Sequence, residues 1–255
     1  MEFNLTNKAG KVLHYKVNKD ENTVTVSSDE ENKPSGELVI PASVTYEGKT
    51  YSVTSIGNWA FYGCKEFTSI SIPNSITSIG YYAFFECSKL TIINVATDNP
   101  DYKSIDGVLY NKEATTLICC PEEKTGSFVI PTTVTNIGDD AFGRCTGLTS
   151  ITIPNSVTSI ASYAFEGCSK LTSVTIPNSV MAIEPYAFDN CTGLTSIICE
   201  AKTPPSCDYD YYGFNTCYLA DPTTITIYVP AGSVQAYKEH ETWGQFKNIQ
   251  AIGTK

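Results

Sequence analysis

Hydrophobic residues recur along this chain with a period of 23 residues. Residues 151–173 place apolar side chains at fixed positions, and the stretch that starts at Val174 repeats them with the same spacing. The segment Leu-x-x-Val-x-Ile at the repeat boundary has the period of two that predicts a short strand with one buried face. A dipeptide marks the same position in five repeats: Ala60-Phe61, Ala83-Phe84, Ala141-Phe142, Ala164-Phe165 and Ala187-Phe188.

Turn residues follow each predicted strand. Ile176-Pro177 ends one of them, because proline cannot donate a ladder hydrogen bond. Pro185-Tyr186-Ala187-Phe188 then predicts one tight helical turn. A repeat of this size cannot bury its apolar face alone, so neighbouring repeats must stack and share one core. The pattern therefore predicts a repeat solenoid whose adjacent strands lie about 4.8 Å apart in a parallel sheet.

The repeats are preceded and interrupted by segments of a different pattern. Residues 12–17 and 23–27 alternate and predict a β-hairpin cap within residues 1–37, where a solenoid must shield its end. The repeats themselves extend over residues 38–200. Within them, 35 additional residues near 93–127 predict a hairpin insertion, and we expect it to leave the repeat register intact.

Residues 201–255 predict the closing segment of the chain. They comprise an irregular repeat, a strand near residues 225–229 and a short capping helix. Ser233 is the expected N-cap of this helix. Trp243 and Phe246 are expected to fold it over the last repeat.

The complete repeat resembles the BspA-like leucine-rich-repeat family. The resemblance rests on Leu-Thr-Ser-Val-Thr-Ile-Pro-Asn-Ser-Val followed by Tyr-Ala-Phe-x-x-Cys, and it covers residues 38–200. It implies a leucine-rich-repeat horseshoe, with a parallel concave β-sheet and with short helical turns and hairpin inserts on the other faces. It also implies a bacterial cell-surface protein that works through binding. Asn155 and Asn178 stand one place before the usual ladder asparagine of the broader leucine-rich pattern.

Composition excludes some partners and leaves the compartment open. The chain has 17 Lys and Arg against 27 Asp and Glu, a formal charge of −10, which disfavours nucleic acid as a partner. No apolar run approaches the roughly 20 residues of a membrane-spanning helix. The first residues have no secretion signal pattern, so the chain is either cytosolic or begins after a removed signal. The family resemblance favours the cell surface or secretion.

No group of residues in the sequence has the pattern of a catalytic, cofactor or metal site. The two histidines, His14 and His240, lie in opposite predicted caps. Phosphate-binding glycine loops, nucleophile elbows and zinc-binding helix motifs are absent from the sequence. Asp208-x-Asp210-x-x-Gly213 only superficially resembles the start of a calcium loop. We therefore expect no enzymatic activity and no cofactor.

Cysteines occupy one position of the repeat. Side chains related by the repeat point in parallel, whereas a disulfide needs convergent Cβ vectors, so we expect buried thiols rather than a disulfide or metal ladder. These residues are Cys64, Cys87, Cys145, Cys168 and Cys191. The sequence leaves open whether Cys199, Cys207 and Cys217 contain one disulfide.

Two predicted surfaces are candidates for binding a partner. The residue before Ala-Phe is mostly aromatic, and such a row either anchors a partner or packs on itself above the turn. Its members are Trp59, Tyr82, Tyr163, Tyr186 and Tyr212, with Asp140 as the exception. The second surface is a Ser/Thr face of the strands, which is either a groove for a polar partner or a hydroxyl ladder that satisfies itself. It comprises Thr149, Ser150, Thr152, Thr172, Ser173 and Thr175.

These features, with the resemblance, favour a non-enzymatic binding module for cell-surface adhesion or protein recognition, with a host or neighbouring-cell surface protein as the expected partner. The candidate partner-binding residues are Trp59, Tyr82, Tyr163 and Tyr186. Two alternatives remain. One is a carbohydrate-capture surface protein that uses the aromatic row, and the other is a structural spacer that displays another domain.

Overall fold

The computed structural model describes residues 1–28, 31, 33–207 and 219–253. The chain divides into two compact units. The N-terminal unit is formed by Met1–Glu113 with Pro121–Glu123, and the C-terminal unit by Ala114–Cys120 with Lys124–Lys255. Short β-strands are the main regular elements of both units. The sequence predicts one strand in each repeat, whereas the structure has a second strand of two residues in several of them.

The N-terminal unit begins with antiparallel strands. Its first elements are β1 (Glu2–Thr6), β2 (Val12–Val17), β3 (Thr23–Ser28), β4 (Gly36–Val39), β5 (Ser43–Tyr46) and β6 (Lys49–Ile56). β2 and β3 form the hairpin that the sequence predicts, and β1, which the sequence pattern did not predict, pairs with β2. β5 and β6 form another hairpin. Its turn residues Glu47 and Gly48 both have positive φ, the conformation that matches the twist of paired strands.

Parallel pairing joins the repeats that follow. Three more strands continue the N-terminal unit: β7 (Phe67–Ile72), β8 (Ser78–Ile79) and β9 (Ile92–Val95). β4, β7 and β9 pair in parallel in one sheet, and β3, β6 and β8 pair in parallel in another. Ile70 lies opposite Ile93, so the register of the sheet equals the 23-residue period of the sequence.

The segment predicted as an insertion supplies core to the N-terminal unit. β10 (Tyr102–Ile105) and β11 (Val108–Asn111) form an antiparallel hairpin. Val108, Leu109 and Tyr110 of this hairpin are buried. The segment therefore contributes apolar packing to the unit, in addition to lengthening a loop.

Asn99 ties this segment to an earlier repeat. Its side chain is fully buried, and its amide nitrogen donates hydrogen bonds to the carbonyl oxygens of Pro73 (2.8 Å) and Ile76 (2.9 Å). Its amide oxygen accepts from the backbone N–H groups of Asp101 (2.9 Å) and Tyr102 (2.8 Å). One side chain thus satisfies four backbone groups where the chain leaves the repeat pattern, as buried polar groups require.

The C-terminal unit shows the same two kinds of parallel pairing. Its strands are β12 (Thr116–Cys119), β13 (Thr125–Val129), β14 (Asn136–Ile137), β15 (Gly147–Thr152), β16 (Ser159–Ile160), β17 (Ser173–Ile176), β18 (Ala182–Ile183), β19 (Ser196–Cys199), β20 (Thr226–Val229) and β21 (Asn248–Ala251). β12, β14, β16 and β18 pair in that order. β13 pairs with β15, and β17, β19, β20 and β21 form a further sheet.

Equivalent side chains of successive repeats stack in the core. Phe142, Phe165 and Phe188 of the predicted Ala-Phe pairs are buried, and neighbouring ring centroids lie 5.1 Å apart. Their planes are within 9° of parallel. Each such pair adds about 1 kcal/mol to what its buried area contributes, so the exact repetition of phenylalanine stabilises the stacking of repeats.

A short helix and two aromatic residues pack against the last repeats of the C-terminal unit. α1 (Val234–Glu239) is preceded by Ser233 at the N-cap position, but the Ser233 side chain makes no capping hydrogen bond. Trp243 is fully buried and its indole N–H donates to the carbonyl of Pro205 (3.0 Å). Phe246 is also buried. Beyond them, β21 adds a parallel strand that the sequence pattern did not predict.

We expect Asn99→Ala to lower the free energy of unfolding by about 3 kcal/mol, because several buried backbone groups lose their partner at once. Asn94 in β9 is exposed, and Asn94→Ala is the matched control with an expected change within about 0.5 kcal/mol. Urea unfolding of both variants measures this. Equal midpoints for the two would show that Asn99 has no structural role.

Candidate binding surface

The residue before each Ala-Phe pair has a left-handed backbone. The φ angles are 56° for Trp59, 54° for Tyr82, 55° for Asp140, 59° for Tyr163 and 63° for Tyr186. The surrounding segments are hydrogen-bonded turns, so the helical turn that the sequence predicts at this place is not confirmed. Positive φ is uncommon for residues other than glycine and costs a bulky side chain roughly 1–2 kcal/mol.

Backbone hydrogen bonds to the next repeat hold these turns. In the C-terminal unit, the N–H of Asp140 donates to the carbonyl of Ser162 (3.0 Å), and the N–H of Phe142 donates to that of Ala164 (2.7 Å). Phe165 donates to Ala187 in the same way (2.8 Å). The left-handed residue lets the chain turn so that these donors face the neighbouring repeat, which offsets the local strain.

In the C-terminal unit the aromatic row consists of two stacked tyrosines. The rings of Tyr163 and Tyr186 lie 5.1 Å apart with an interplanar angle of 8°. Both residues are half-buried, as is Asp140 at the same position of the preceding repeat. The position is therefore partly accessible in each of these repeats, and each tyrosine packs against the other. Tyr212 lies outside the described residues.

In the N-terminal unit the row is doubled. Trp59 stacks on Tyr82 at 4.5 Å, and Tyr62 stacks on Phe85 at 6.0 Å. The two rows meet edge to face, with angles of 84° for Trp59 and Tyr62 and 81° for Tyr82 and Phe85. We call these four residues the N-terminal aromatic cluster. Trp59 is 49% exposed and Tyr62 is 40% exposed, and the neighbouring Tyr81 is 70% exposed.

Sequence reasoning found one row of this cluster and missed the other. Tyr62 and Phe85 stand three residues after Trp59 and Tyr82, and the same position in the C-terminal unit holds Glu166 and Asp189. The signal in the sequence that could have predicted the second row is this pair of aromatic residues at a position where two later repeats have an acidic residue. The turn places residues three apart side by side, which spacing alone did not show.

The Ser/Thr face of the strands is exposed and forms hydrogen bonds within itself. Ser150 Oγ lies 2.8 Å from Ser127 Oγ of the neighbouring strand. Thr195 Oγ1 donates to the carbonyl of Thr172 (3.1 Å) in the adjacent repeat. All six residues predicted for this face, Thr149, Ser150, Thr152, Thr172, Ser173 and Thr175, are exposed.

The five repeat cysteines are buried and none is in a disulfide, as predicted. They also have a polar role that the prediction of small hydrophobic side chains did not include. The thiols of Cys87, Cys168 and Cys191 donate to the carbonyl of the phenylalanine in the preceding repeat, with sulfur to oxygen distances of 3.1, 3.2 and 3.0 Å. Burial raises the pKa of Cys64 to about 11 and that of Cys191 to about 12, so these thiols are poor nucleophiles and metal ligands.

The cysteines near the C-terminus differ from one another. Cys207 is disulfide-bonded, whereas Cys199 is a buried thiol that accepts a hydrogen bond from the Tyr237 hydroxyl (3.1 Å). Cys217 and the segment with Asp208, Asp210 and Gly213 lie outside the described residues.

Within the described part of the chain, no cluster of three or more His, Cys, Asp or Glu side chains has a geometry that would hold a metal ion. The described helices are also too short or too polar to span a bilayer.

Comparison with known proteins identifies the class. A "BspA type Leucine rich repeat region" matches residues 43–123 and 118–228, with six copies of the repeat. The chain is thus a leucine-rich-repeat protein. Because the match covers well over half of the sequence, it belongs to the BspA-type family of these proteins. A search of curated protein sequences finds no match.

Solved structures support the same fold. A leucine-rich repeat protein from Eubacterium ventriosum is 18% identical, with a TM-score of 0.54 and coverage of 100% of this chain and 96% of that one. The pneumococcal vaccine antigen PcpA is 14% identical, with a TM-score of 0.52 and 99% coverage of both chains. A leucine rich cell surface protein from Faecalibacterium prausnitzii is 22% identical, with a TM-score of 0.50 and coverage of 98% and 73%.

We expect the left-handed backbone to limit which side chains residue 163 accepts. Tyr163→Asn and Tyr163→Val both remove the stack with Tyr186, but asparagine tolerates positive φ and the β-branched valine does not. Tyr163→Val is therefore expected to be less stable than Tyr163→Asn by about 1 kcal/mol or more in urea unfolding. Equal stabilities would show that the turn relaxes away from the observed conformation.

We expect the repeat cysteines to react with a maleimide only after unfolding.

Cys168→Asp places a carboxyl group in the core and is expected to lower the free energy of unfolding by about 3 kcal/mol or more at neutral pH. Cys168→Ser keeps a hydroxyl donor and is the milder control. Burial would raise the pKa of the introduced carboxyl above that in the unfolded chain. The deficit is then smallest below pH 4 and grows as the pH rises, which unfolding curves at several pH values measure. A deficit that does not change with pH would place the carboxylate in water.

Proposed function

We propose that this chain is a non-enzymatic binding module that recognises a protein partner, and that it acts in adhesion at the cell surface. The observation that carries the proposal is the row of partly exposed aromatic side chains at one position of successive repeats. Trp and Tyr present a large, rigid contact area at low entropic cost and are enriched among residues that dominate protein interfaces. Trp59, Tyr82, Tyr163 and Tyr186 are the proposed partner-binding residues.

The aromatic row is a better candidate than the Ser/Thr face. Strained backbone fixes the position of each aromatic residue, and stacking fixes the orientation of its ring. On the Ser/Thr face, the Ser150 hydroxyl instead bonds to Ser127 of the neighbouring strand, and the Thr172 carbonyl accepts from the Thr195 hydroxyl. That face also lacks the aromatic or Arg anchors of most strong interfaces.

The proposal includes the architecture and the location of the protein. Residues 1–37 form a cap, residues 38–200 a leucine-rich-repeat horseshoe with its sheet on the concave side, and residues 201–255 the closing segment. Family membership supports this arrangement, as it does the absence of enzymatic activity. The disulfide at Cys207 supports an oxidising compartment, in agreement with a secreted or surface location.

The test is binding of the full chain to purified extracellular proteins and, in parallel, to a glycan array. For a protein that binds, Tyr163→Ser with Tyr186→Ser is expected to raise the dissociation constant about 30-fold or more, since a good interface anchor is worth about 2 kcal/mol. Ser173→Ala with Thr175→Ala is the matched control on the strand face, and its affinity is expected to be unchanged.

Thermal unfolding of both double variants separates binding from folding. A melting temperature close to that of the original chain is expected for each, because the tyrosines are only half-buried. Loss of affinity in the Ser173/Thr175 variant alone would move the binding site to the strand face. Binding to glycans and to no protein would replace protein recognition by carbohydrate capture.

A further inference from the structure

The N-terminal aromatic cluster differs from the rest of the row in shape. Two rows of rings meet there almost perpendicularly, so ring faces and ring edges are presented side by side. Trp59 and Tyr62 are the more exposed members, at 49% and 40%. In the C-terminal unit an acidic residue stands where the second row would be. A ligand that needs several aromatic surfaces at once therefore fits the N-terminal unit.

A positive charge already lies against this cluster. The ammonium group of Lys33 is 5.4 Å from the centroid of the Tyr62 ring and donates a hydrogen bond to the Tyr62 carbonyl (2.7 Å). Aromatic faces attract cations through the negative potential above the ring, and Trp and Tyr do so more strongly than Phe. The cluster is thus built from side chains that attract cations, and one of its rings holds a cation from the same chain.

The charge of the chain selects the kind of partner. With a formal charge of −10, the protein attracts basic molecules at long range and repels acidic ones. Glu66 and Lys89 stand four residues after Tyr62 and Phe85 in the sequence, and the Lys89 ammonium is paired with the Glu66 carboxylate at 2.7 Å, so this lysine does not act as an unpaired positive charge. Lys33 is exposed, and an exposed lysine gives up such a contact at little cost.

We propose that the N-terminal aromatic cluster binds the cationic side chains of a basic segment in a protein partner, and that Lys33 occupies part of this site when the partner is absent. The inference rests on the proposed function of protein recognition and specifies the chemistry that is recognised. Arginine fits better than lysine, because its planar guanidinium stacks on aromatic faces and is more weakly hydrated.

A defined peptide probe tests this without knowledge of the natural partner. The probe is a hexapeptide of arginine with an acetylated N-terminus and an amidated C-terminus. Its control is the same hexapeptide of citrulline, which keeps the shape of the side chains and removes their charge. Trp59 is exposed whereas Trp243, the second tryptophan of the chain, is fully buried. Protection of tryptophan fluorescence from quenching by acrylamide, a neutral molecule that a cationic peptide does not attract, therefore reports on Trp59. We expect the arginine peptide to protect it and the citrulline peptide to have no effect.

Substitutions then assign the site. Tyr62→Leu removes the ring and keeps an apolar side chain, and it is expected to weaken arginine-peptide binding two- to fivefold. Tyr62→Phe keeps a ring and is expected to lose less affinity than Tyr62→Leu. For Trp59→Asn, which removes the fluorescent reporter, calorimetry measures peptide binding instead. Asparagine tolerates the left-handed backbone, and we expect this variant to bind the arginine peptide more weakly than Tyr62→Leu does. Lys33→Gln removes the competing cation and is expected to strengthen binding two- to fivefold. Tyr163→Asn in the C-terminal unit is the control for unspecific attraction to the acidic surface.

The outcomes distinguish this inference from the proposed function. No binding of the arginine peptide, equal binding of the citrulline peptide, or equal losses in Tyr62→Leu and Tyr163→Asn would each overturn the inference. So would weaker binding by Lys33→Gln. If one of these results is found while Tyr163→Ser with Tyr186→Ser still weakens binding of a protein partner about 30-fold or more, the inference fails and the proposed function stands.

Discussion

Parallel backbone pairing in a register of one repeat is the constraint on which both units depend. A segment of 23 residues has too few hydrogen-bonding partners within itself, so its N–H and C=O groups must find them in the next repeat. The strands do this in register, as the pairs Ile70 with Ile93 and Ser173 with Ser196 show. The turns do it as well, through donors such as Phe142 and Phe165. Identical side chains are then stacked by necessity.

The candidate binding surface is a consequence of that pairing. The residue before Ala-Phe adopts positive φ so that the turn can direct its donors to the neighbouring repeat. Its side chain is thereby carried to the partly exposed side of the turn, where an aromatic ring gains contact with the ring of the next repeat. The feature that stabilises the turn ladder is thus the same one that leaves large, stacked side chains partly exposed.

The long segment near residues 93–127 obeys the same constraint in a modified form. Cys120 donates its N–H to the carbonyl of Ala141 (2.7 Å), the place that a phenylalanine takes in the regular repeats. Cys145 lies with its sulfur 3.8 Å from the carbonyl oxygen of Cys120, as other repeat cysteines lie near that phenylalanine carbonyl. Phe128 contacts Phe142 at 5.4 Å and supplies a ring to the stack from another position. The segment thus keeps hydrogen bonds of the turn ladder and contains, in addition, the hairpin of β10 and β11 and the buried Asn99.

The sequence by itself determined the repeat length, one strand in each repeat, the burial of the Ala-Phe and cysteine positions and the first hairpin, because each depends on a local period or on a short turn. Only the tertiary structure decided the strands, backbone conformations and hydrogen bonds that depend on contacts with an adjacent strand or a neighbouring repeat. β1 and β21 alternate polar and apolar residues over only 5 and 4 positions, which is too short a pattern to predict a strand by itself, and each pairs with the edge of an adjacent strand. Three features depend on contacts between residues 22 to 26 positions apart. They are the positive φ at the residue before each Ala-Phe pair, the pairing of Tyr62 with Phe85, and the two hydrogen bonds that the Asn99 amide nitrogen donates. The 23-residue period places these residues in neighbouring repeats, but it does not specify which of their atoms come into contact.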